Sequence, residues 1–472
     1  MNKPVRVRFA PSPTGFLHIG GVRTALFNYL FAKANGGEFV LRLEDTDRER
    51  FVEDGVEQII KSLDWLGLHP DEGVWYEEKP GKHDPYIQSE RLNHYREYAE
   101  KLILEGKAYR SYSTPEQLES LREQARVNKK PFIYKSEMEP ASHTTDQEVP
   151  VRLKIPQGLT KWHDEIRGEF SSQNDLIDDF IIIKADGFPT YNFANVVDDH
   201  LMEISHVIRG DEFISSTAKH AILYDMLGFD RPAWVHLAPI LGPDGKKKLS
   251  KRDGDVNVLD YKSKGYLPEA VINFLALLGW NDGTTQEIFA IDELIQKFSL
   301  NRIQKSPAVF DITRLDWMNG EYIRSKLSDE QLIDAIKPYV PAEWTKDMDY
   351  FTKVLDLDKE RIKRFDEAKY IMEIFFETPQ VDRALLYQKD NEATVQNWLS
   401  RVIEDISKLE FSHDAVENCL RSLCDKLAVS PGRLFSVLRV GLTGRNQAPG
   451  LFDIFVTLGR EETLKRLKAL TK

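Results

Sequence analysis

The sequence predicts an α/β protein, with a parallel, nucleotide-type core that is interrupted by an insertion and followed by a helical C-terminal third. Three observations predict it. Strand-like runs alternate with helix-like runs in β-loop-α-β order over the first part of the chain. A polar stretch near Lys129 to Pro150 breaks that order. No glycine occurs from Glu321 to Pro431, which is hard to reconcile with β-structure full of tight turns.

Each element follows from local spacing. Val5, Val7 and Phe9 alternate with Arg6 and Arg8 as a strand would, and Pro11-Ser12-Pro13-Thr14-Gly15 then forces a tight loop. From Val22 the apolar residues Val22, Ala25, Leu26, Tyr29 and Leu30 recur at three and four, and Gly36-Gly37 stops the helix. Phe39 to Leu43 reads as a second strand, and Ile204 to Ile208 and Val235 to Leu241 as later ones. Thr114-Pro115-Glu116-Gln117 matches the capping box that starts a helix inside the insertion. Leu332, Ile333 and Ile336 fall at helical spacing in the last third. No internal repeat or low-complexity tract interrupts the series.

Composition narrows the function. A chain of 472 residues allows roughly three domains, each able to bury a core. Charged residues at 30% and hydrophobic ones at 41% are ordinary for a folded globular protein. The formal net charge of -12 excludes binding of phosphate polymers by bulk charge, so a nucleic-acid partner needs local basic patches. Only Cys419 and Cys424 are present, which excludes a disulfide framework, fits a reducing cytoplasm and reads as core thiols. The longest strongly apolar run, Val271 to Trp280, is far short of the roughly 20 residues a membrane helix needs. With no signal-type segment at the start, the expectation is a soluble, cytoplasmic protein without a membrane partner.

Two runs carry chemistry. Neither G-x-x-x-x-G-K-[ST] nor G-x-G-x-x-G follows a strand, which sets aside Walker ATPases and simple dehydrogenases. Instead Pro11 to Gly21 ends in Phe16-Leu17-His18-Ile19-Gly20-Gly21 at the start of the first core helix. There Gly20 and Gly21 allow a nucleotide close to the backbone, the helix N-terminus attracts phosphate, and His18 can donate to developing charge. A lone His-Ile-Gly is more often a turn beside a core histidine, but the whole run in a strand-to-helix context reverses that reading. The second run, Gly242-Pro243-Asp244-Gly245-Lys246-Lys247-Lys248-Leu249-Ser250-Lys251-Arg252, concentrates basic residues just after the last core strand. A calcium loop at Asp253, Asp255 and Asn257 is rejected, because Val258 and Lys264 stand where Gly and Glu are needed.

The first run resembles the HIGH motif of class I aminoacyl-tRNA synthetases, and Lys248 to Arg252 resembles their KMSKS loop, departing at the fifth residue. Arg8-Phe9-Ala10-Pro11-Ser12, Leu43-Glu44-Asp45-Thr46-Asp47, Tyr191-Asn192-Phe193-Ala194-Asn195, Ile208-Arg209-Gly210 and Trp317-Met318-Asn319-Gly320 are together similar to bacterial glutamyl-tRNA synthetases, over essentially the whole chain. The resemblance implies a Rossmann-type catalytic core in two halves (1–110 and 191–245), an inserted acceptor-end-binding domain (111–190), a KMSKS-loop and stem-contact domain (246–325) and an all-α anticodon-binding region (326–472). It implies activation of L-glutamate with ATP and magnesium, and transfer of the acyl group to the 3' end of tRNA(Glu) by a monomer.

By the same resemblance His18, Lys248 and Lys251 are catalytic, and Thr14, His18, Gly20, Gly21 and Lys251 bind ATP. Arg8 and Arg209 hold substrate carboxylates, Glu44 the ammonium, and Ala10, Ser12, Tyr191 and Asn195 complete the pocket. Taken singly, Arg8 and Glu44 also read as solvent-facing strand ends, and Arg361 is a candidate anticodon contact or a solvated helix residue. Some relatives bind zinc through Cys-x-Cys and a later Cys-x-His. Here Ser111 and Ser113 stand at the first two positions, so no structural zinc is expected, and Leu118, Leu121 and Phe132 are candidates for the core that replaces it. The alternatives are a glutaminyl enzyme, which usually carries C-terminal β-barrels, a shorter glutamyl-queuosine relative, a small-molecule nucleotidyltransferase, and a tRNA-binding scaffold without chemistry.

Overall fold

The computed structural model describes residues 4–47, 52–76, 81–140, 148–250, 257–388 and 390–471. The chain divides into two compact units, Met1–Ser263 with Pro268–Leu315, and Lys264–Leu267 with Asp316–Lys472.

The first unit opens β1 (Arg6–Phe9), α1 (Ile19–Ala34), β2 (Glu38–Leu41), α2 (Gly55–Trp65) and β3 (Glu72–Gly73), which form a parallel sheet in the order β1-β2-β3. All four residues of β1 are buried, two of them arginines. A parallel sheet covered on both faces buries every position of a strand, so the alternation of Val5 to Phe9 does not translate into one wet face. The charges survive there because they are paired. Arg6 bonds Glu72 at 2.6 Å and also Glu38, while Arg8 bonds Asp199 at 3.0 Å. Neither Arg8 nor Glu44, each about 5% exposed or less, is a solvent-facing strand end.

After α3 (Leu92–Leu104) come β4 (Ala108–Arg110), α4 (Pro115–Val127), β5 (Val151–Leu153), β6 (Leu159–Asp164), β7 (Gly168–Gln173) and β8 (Ile181–Ile183). The chain then returns through α5 (Tyr191–Leu201), β9 (His206–Gly210), α6 (Ile214–Leu227), β10 (Ala233–Leu237) and β11 (Ile240–Leu241). β4, β5 and β8 make a small antiparallel sheet, whereas the β6–β7 hairpin joins the core strands in a sheet ordered β7-β6-β10-β9. β10 is parallel to both β6 and β9. Just before β9, Ser205 N donates to Arg6 O at 2.9 Å, which brings the two halves of the core together.

The capping box at Thr114 forms, with Gln117 N donating to Thr114 Oγ1 and Thr114 N to Gln117 Oε1. Yet α4 buries no residue. Leu118, Leu121 and Phe132 are only half-buried, and the inserted region is instead held by Tyr134, Val151, Leu153, Trp162, Phe180 and Ile182. The strands bury apolar side chains between them, while the helix lies on their surface. The unit continues through α7 (Val258–Ser263), α8 (Pro268–Leu277), α9 (Ile291–Lys297), β12 (Ala308–Val309) and the start of α10 (Ile312–Lys326).

The second unit is helical, with no strand after β12 among the described residues. Its helices are α11 (Asp329–Ile336), α12 (Met348–Asp358), α13 (Ala368–Phe376), α14 (Arg383–Tyr387), α15 (Glu392–Ile406), α16 (His413–Lys426), α17 (Pro431–Thr443) and α18 (Leu451–Ala469). Val395, Trp398, Leu399, Val402 and Ile406 recur at three and four along α15, and all are buried. Ser328, Asn391 and Ser412 cap α11, α15 and α16 through their side chains. Of the two thiols, Cys424 is buried and Cys419 half-buried. No described helix is long and apolar enough to cross a membrane.

Candidate active site

A cavity of about 1100 Å³ opens in the first unit beside the C-terminal end of β1. Arg8, Ala10, Ser12, Thr14, His18, Gly20, Gly21, Glu44, Tyr191, Asn195, Arg209 and Lys248 all line it. Lys251, given an ATP role from the sequence, lies outside the described residues.

The two motif runs meet through the backbone. His18 is the N-cap of α1, and its Nδ1 accepts from Gly20 N at 3.1 Å, so the ring proton sits on Nε2. His18 also bridges Asn257, and Val258 N donates to Leu17 O, so the chain leaving the basic run lies against the start of α1. Gly20 and Gly21 sit on the wall in the first turn of α1, where backbone donors and the helix dipole favour phosphate. Opposite them in sequence, the turn Gly242–Lys247 is closed by Gly242 N to Lys247 O, with Asp244 accepting from the Lys246 and Lys247 amides. Those two amide bonds hold the Asp244 carboxyl below its ordinary range. Lys248 follows, exposed and 3.2 Å from Glu212.

A buried charge network forms the rest of the wall. Arg42, fully buried, donates to Asp199 at 2.7 Å and to Glu44 Oε1 at 3.0 Å. Asp199 also takes Arg8 bidentately, through Nε at 3.0 Å and Nη2 at 3.2 Å. Burial opposes ionisation of Asp199, but Arg8 and Arg42 outweigh it and hold its carboxyl below the usual range. Glu44 differs. Burial dominates and pushes its carboxyl up despite Arg42 and Arg8. Asn195 Nδ2 donates to the same Oε1 at 2.9 Å, so among the described residues both hydrogen bonds land on one oxygen. Next to this pair Asp198 accepts from Gln88, Arg91 and Tyr95, which anchors α5 against α3.

Arg209 is held differently from Arg8. It is 5% exposed, and its partners are the His236 ring at 3.0 Å, the His220 ring at 3.2 Å, Thr217 Oγ1 at 2.9 Å, the Phe213 carbonyl and the Tyr191 hydroxyl at 3.5 Å. Among the described residues no carboxylate pairs with it. Burial accordingly pulls its pKa below the ordinary arginine value. Of the two arginines at the strand ends of the cavity, Arg8 is thus compensated by a carboxylate and Arg209 is not.

Comparison with known proteins places this geometry in a family. Residues 4–317 match the model for the class I tRNA synthetase (E and Q) catalytic domain, and 331–471 match an anticodon-binding domain. A glutamate–tRNA ligase from Dehalococcoides mccartyi strain BAV1 is 44% identical, covering 99% of this chain and 97% of the relative. The chain belongs to the class I glutamate–tRNA ligase family. Another member, from Clostridium kluyveri, is 42% identical over 98% of this chain and 97% of its own. The crystal structure of the glutamate tRNA ligase from Elizabethkingia meningosepticum, in complex with its amino acid, superposes with a TM-score of 0.86 at 35% identity, covering 99% of both chains. The family assignment makes this an aminoacyl-tRNA ligase that uses ATP, with a Rossmann-like core and a helical anticodon-binding domain.

Several wall or support residues escaped the sequence reading. Arg42 stands between Leu41 and Leu43, Asp198-Asp199 after Val196-Val197, and His236 between Val235 and Leu237. A charged or imidazole residue inside an apolar run was the available signal, because burial demands a partner for it. Arg23 on α1 also lines the cavity. It donates to the Leu278 and Ala238 carbonyls, and burial pulls its pKa down to about 10.

Outside the cavity, the positions that would carry zinc thiolates form a hydrogen-bonded cluster. Ser111 Oγ donates to Glu139 at 2.5 Å, Tyr112 N to Glu139 at 2.9 Å and Tyr134 OH to Glu139 at 2.7 Å, while Ser113 Oγ lies 2.6 Å from Tyr134 OH. Of the two histidines that remain as possible metal ligands in the inserted region, His163 pairs with Glu169, and His143 lies outside the described residues. Arg361, 2.5 Å from the buried Asp358, is ion-paired rather than simply solvated.

Proposed function

We propose that this cavity joins L-glutamate to ATP as glutamyl-adenylate and passes the glutamyl group to the terminal ribose of tRNA(Glu). The observation that carries this reading is Arg209, a buried guanidinium on the cavity wall whose described partners are all neutral. Such a charge needs a carboxylate, and the side chain of glutamate supplies one. Arg8, already matched to Asp199, contributes less net charge and more orientation. Glu44 Oε2 takes the ammonium, with Oε1 fixed by Arg42 and Asn195.

With the amino acid so held, its α-carboxylate oxygen attacks the α-phosphorus of ATP and pyrophosphate leaves. Catalysis is positioning and charge stabilisation. His18 Nε2–H, the amides at the start of α1, Lys248 and Lys251 stabilise the phosphates, Thr14, Gly20 and Gly21 border the nucleotide, and Ala10, Ser12 and Tyr191 complete the amino-acid pocket. Among the described residues no three ligating side chains converge on one point, so magnesium would enter held by the triphosphate oxygens and supply charge neutralisation there. The cluster on Glu139 takes the place of a structural zinc, because hydroxyls and one carboxylate engaged with each other are a poor zinc donor set. A monomeric, cytoplasmic protein completes the proposal, its two free thiols fitting a reducing compartment.

The test is aminoacylation of purified tRNA(Glu) and tRNA(Gln) with glutamate and with glutamine. Charging of tRNA(Glu) by glutamate far above glutamine is expected, with pyrophosphate exchange appearing only when tRNA is added. Equal use of the two amino acids would refute the assignment of Arg209.

A further inference from the structure

The chemistry just proposed uses Arg209 but gives no role to what holds it. Three adjacent strands supply that support. Arg209 on β9 and His236 on β10 are direct partners in the sheet register, and Asp164, the last residue of β6, pairs beside them with Trp234. All three side chains are 5% exposed or less.

Asp164 cannot turn, since Oδ1 accepts from the amides of Ile166 at 3.0 Å and Arg167 at 2.7 Å. Its Oδ2 accepts from His236 N at 3.1 Å and lies 2.6 Å from His236 Nδ1. A carboxylate only accepts and a guanidinium only donates. The His236 proton therefore sits on Nδ1, and the Nε2 lone pair receives Arg209 Nε–H at 3.0 Å. His220 repeats the pattern on the other side, with Nδ1 facing Arg209 at 3.2 Å and Nε2 facing Asn192 Oδ1 at 3.0 Å. Thr217 donates to the Phe213 carbonyl, which leaves its lone pair for Arg209 Nη2. Every group that grips Arg209 is thus a neutral acceptor, and the carboxylate in this chain of bonds stands one imidazole away.

The contrast with Arg8 shows what this achieves. A carboxylate directly on Arg209, like Asp199 on Arg8, would hold the guanidinium firmly but compensate its charge, and a glutamate side chain would then meet a neutral pair. A neutral imidazole fixes its direction without compensating it. Burial and the Arg209 charge lower the pKa of His220, and burial lowers that of His236 against the pull of Asp164, with the Arg209 charge adding to it, which favours the neutral form of both rings.

We propose that Asp164 and His236 are positioning residues for glutamate specificity, fixing Arg209 through a neutral imidazole so that its full charge remains for the side-chain carboxylate of the substrate. This rests on the reading of Arg209 given above.

The test measures KM for glutamate, KM for ATP and the glutamate-to-glutamine ratio in tRNA-dependent charging, for His236→Leu, His236→Gln and Asp164→Asn. His236→Leu, which removes the acceptor, is expected to raise KM for glutamate about tenfold or more and to lower discrimination equally, with KM for ATP within about twofold. His236→Gln, whose Oε1 reaches the place of Nε2, should recover most of the loss. Asp164→Asn, nearly isosteric, should fall between them, because an amide NH₂ facing the ring frees the wrong tautomer.

A readout on the intact protein accompanies these. The ¹⁵N shifts of His236, assigned with the Gln variant, should report a neutral ring protonated at Nδ1 at pH 7. An imidazolium or the opposite tautomer overturns the proposal. So do folded variants with unchanged glutamate KM and discrimination, or a parallel rise in both KM values. Wild-type protein that shows no preference for glutamate would instead overturn the reading of the cavity itself.

Discussion

Arg209→Gln is the sharpest perturbation of the cavity, because it removes the uncompensated charge and leaves a side chain that still hydrogen-bonds. Arg209 is 5% exposed and has no carboxylate partner among the described residues, so a bound glutamate carboxylate would be its counter-ion in a nearly dry site. Truncating one partner of such a buried charge pair costs about 2 to 5 kcal/mol. At about 1.4 kcal/mol per factor of ten, kcat/KM for glutamate should fall by about 30-fold to several thousand-fold. Glutamine, which brings no charge, should lose far less, so the preference between the two collapses.

Stability should move the other way. The Arg209 pKa is lowered by burial, meaning that the fold disfavours the charge, and its replacement by a neutral amide should keep or raise the melting temperature. The assay is aminoacylation of tRNA(Glu) with each amino acid, with KM and kcat taken separately, beside a thermal melt. A folded variant that charges glutamate within about threefold of wild type would refute the reasoning, since the smallest cost above corresponds to about 30-fold.

Other outcomes follow from the same reading. Lys251→Ala should slow adenylate formation by roughly tenfold or more with the fold unchanged, and a near-normal single-turnover rate would remove Lys251 from the ATP site. Glu139→Gln replaces one of the two oxygens that accept from Ser111, Tyr112 and Tyr134 by an NH₂ donor, so the inserted region should lose about 1–3 kcal/mol in urea. A chelator should change neither melting nor acylation once magnesium is restored, and one zinc per chain by elemental analysis would contradict both statements. Burial raises the Asp358 pKa from the ordinary 3.8 to about 6 against the pull of Arg361. The folded state then binds more protons than the unfolded one between those values, so stability falls as pH rises through that window. Asp358→Asn should accordingly melt higher than wild type at pH 7.5, with the gap shrinking toward pH 5; a gap that widens on acidification would reverse the sign.

Local conformation was legible from the chain alone. The spacing from Val22 to Leu30 and the following glycines marked α1 to within about three residues at either end, and Thr114 to Gln117 gave the start of α4. The glycine-free stretch gave the helical last third, and the His18 and Lys248 runs marked the cavity. These features depend on neighbours within about one turn of helix or a few strand residues, which is the range over which periodicity and capping act.

Tertiary structure decided which charges are spent and which remain. Nothing local distinguishes Arg8 from Arg209, since both are arginines in apolar strand runs. Their difference lies in Asp199, 191 residues from Arg8, and in His236, 27 residues from Arg209 and 72 from Asp164. The same holds for the failed expectation that Leu118, Leu121 and Phe132 form the core of the inserted region, since the apolar side chains of the strands bury one another and α4 buries no residue. Sheet register and helix docking bring such groups within 3 Å, and in a buried site the partner found there, carboxylate or neutral imidazole, determines whether an arginine is structure or specificity.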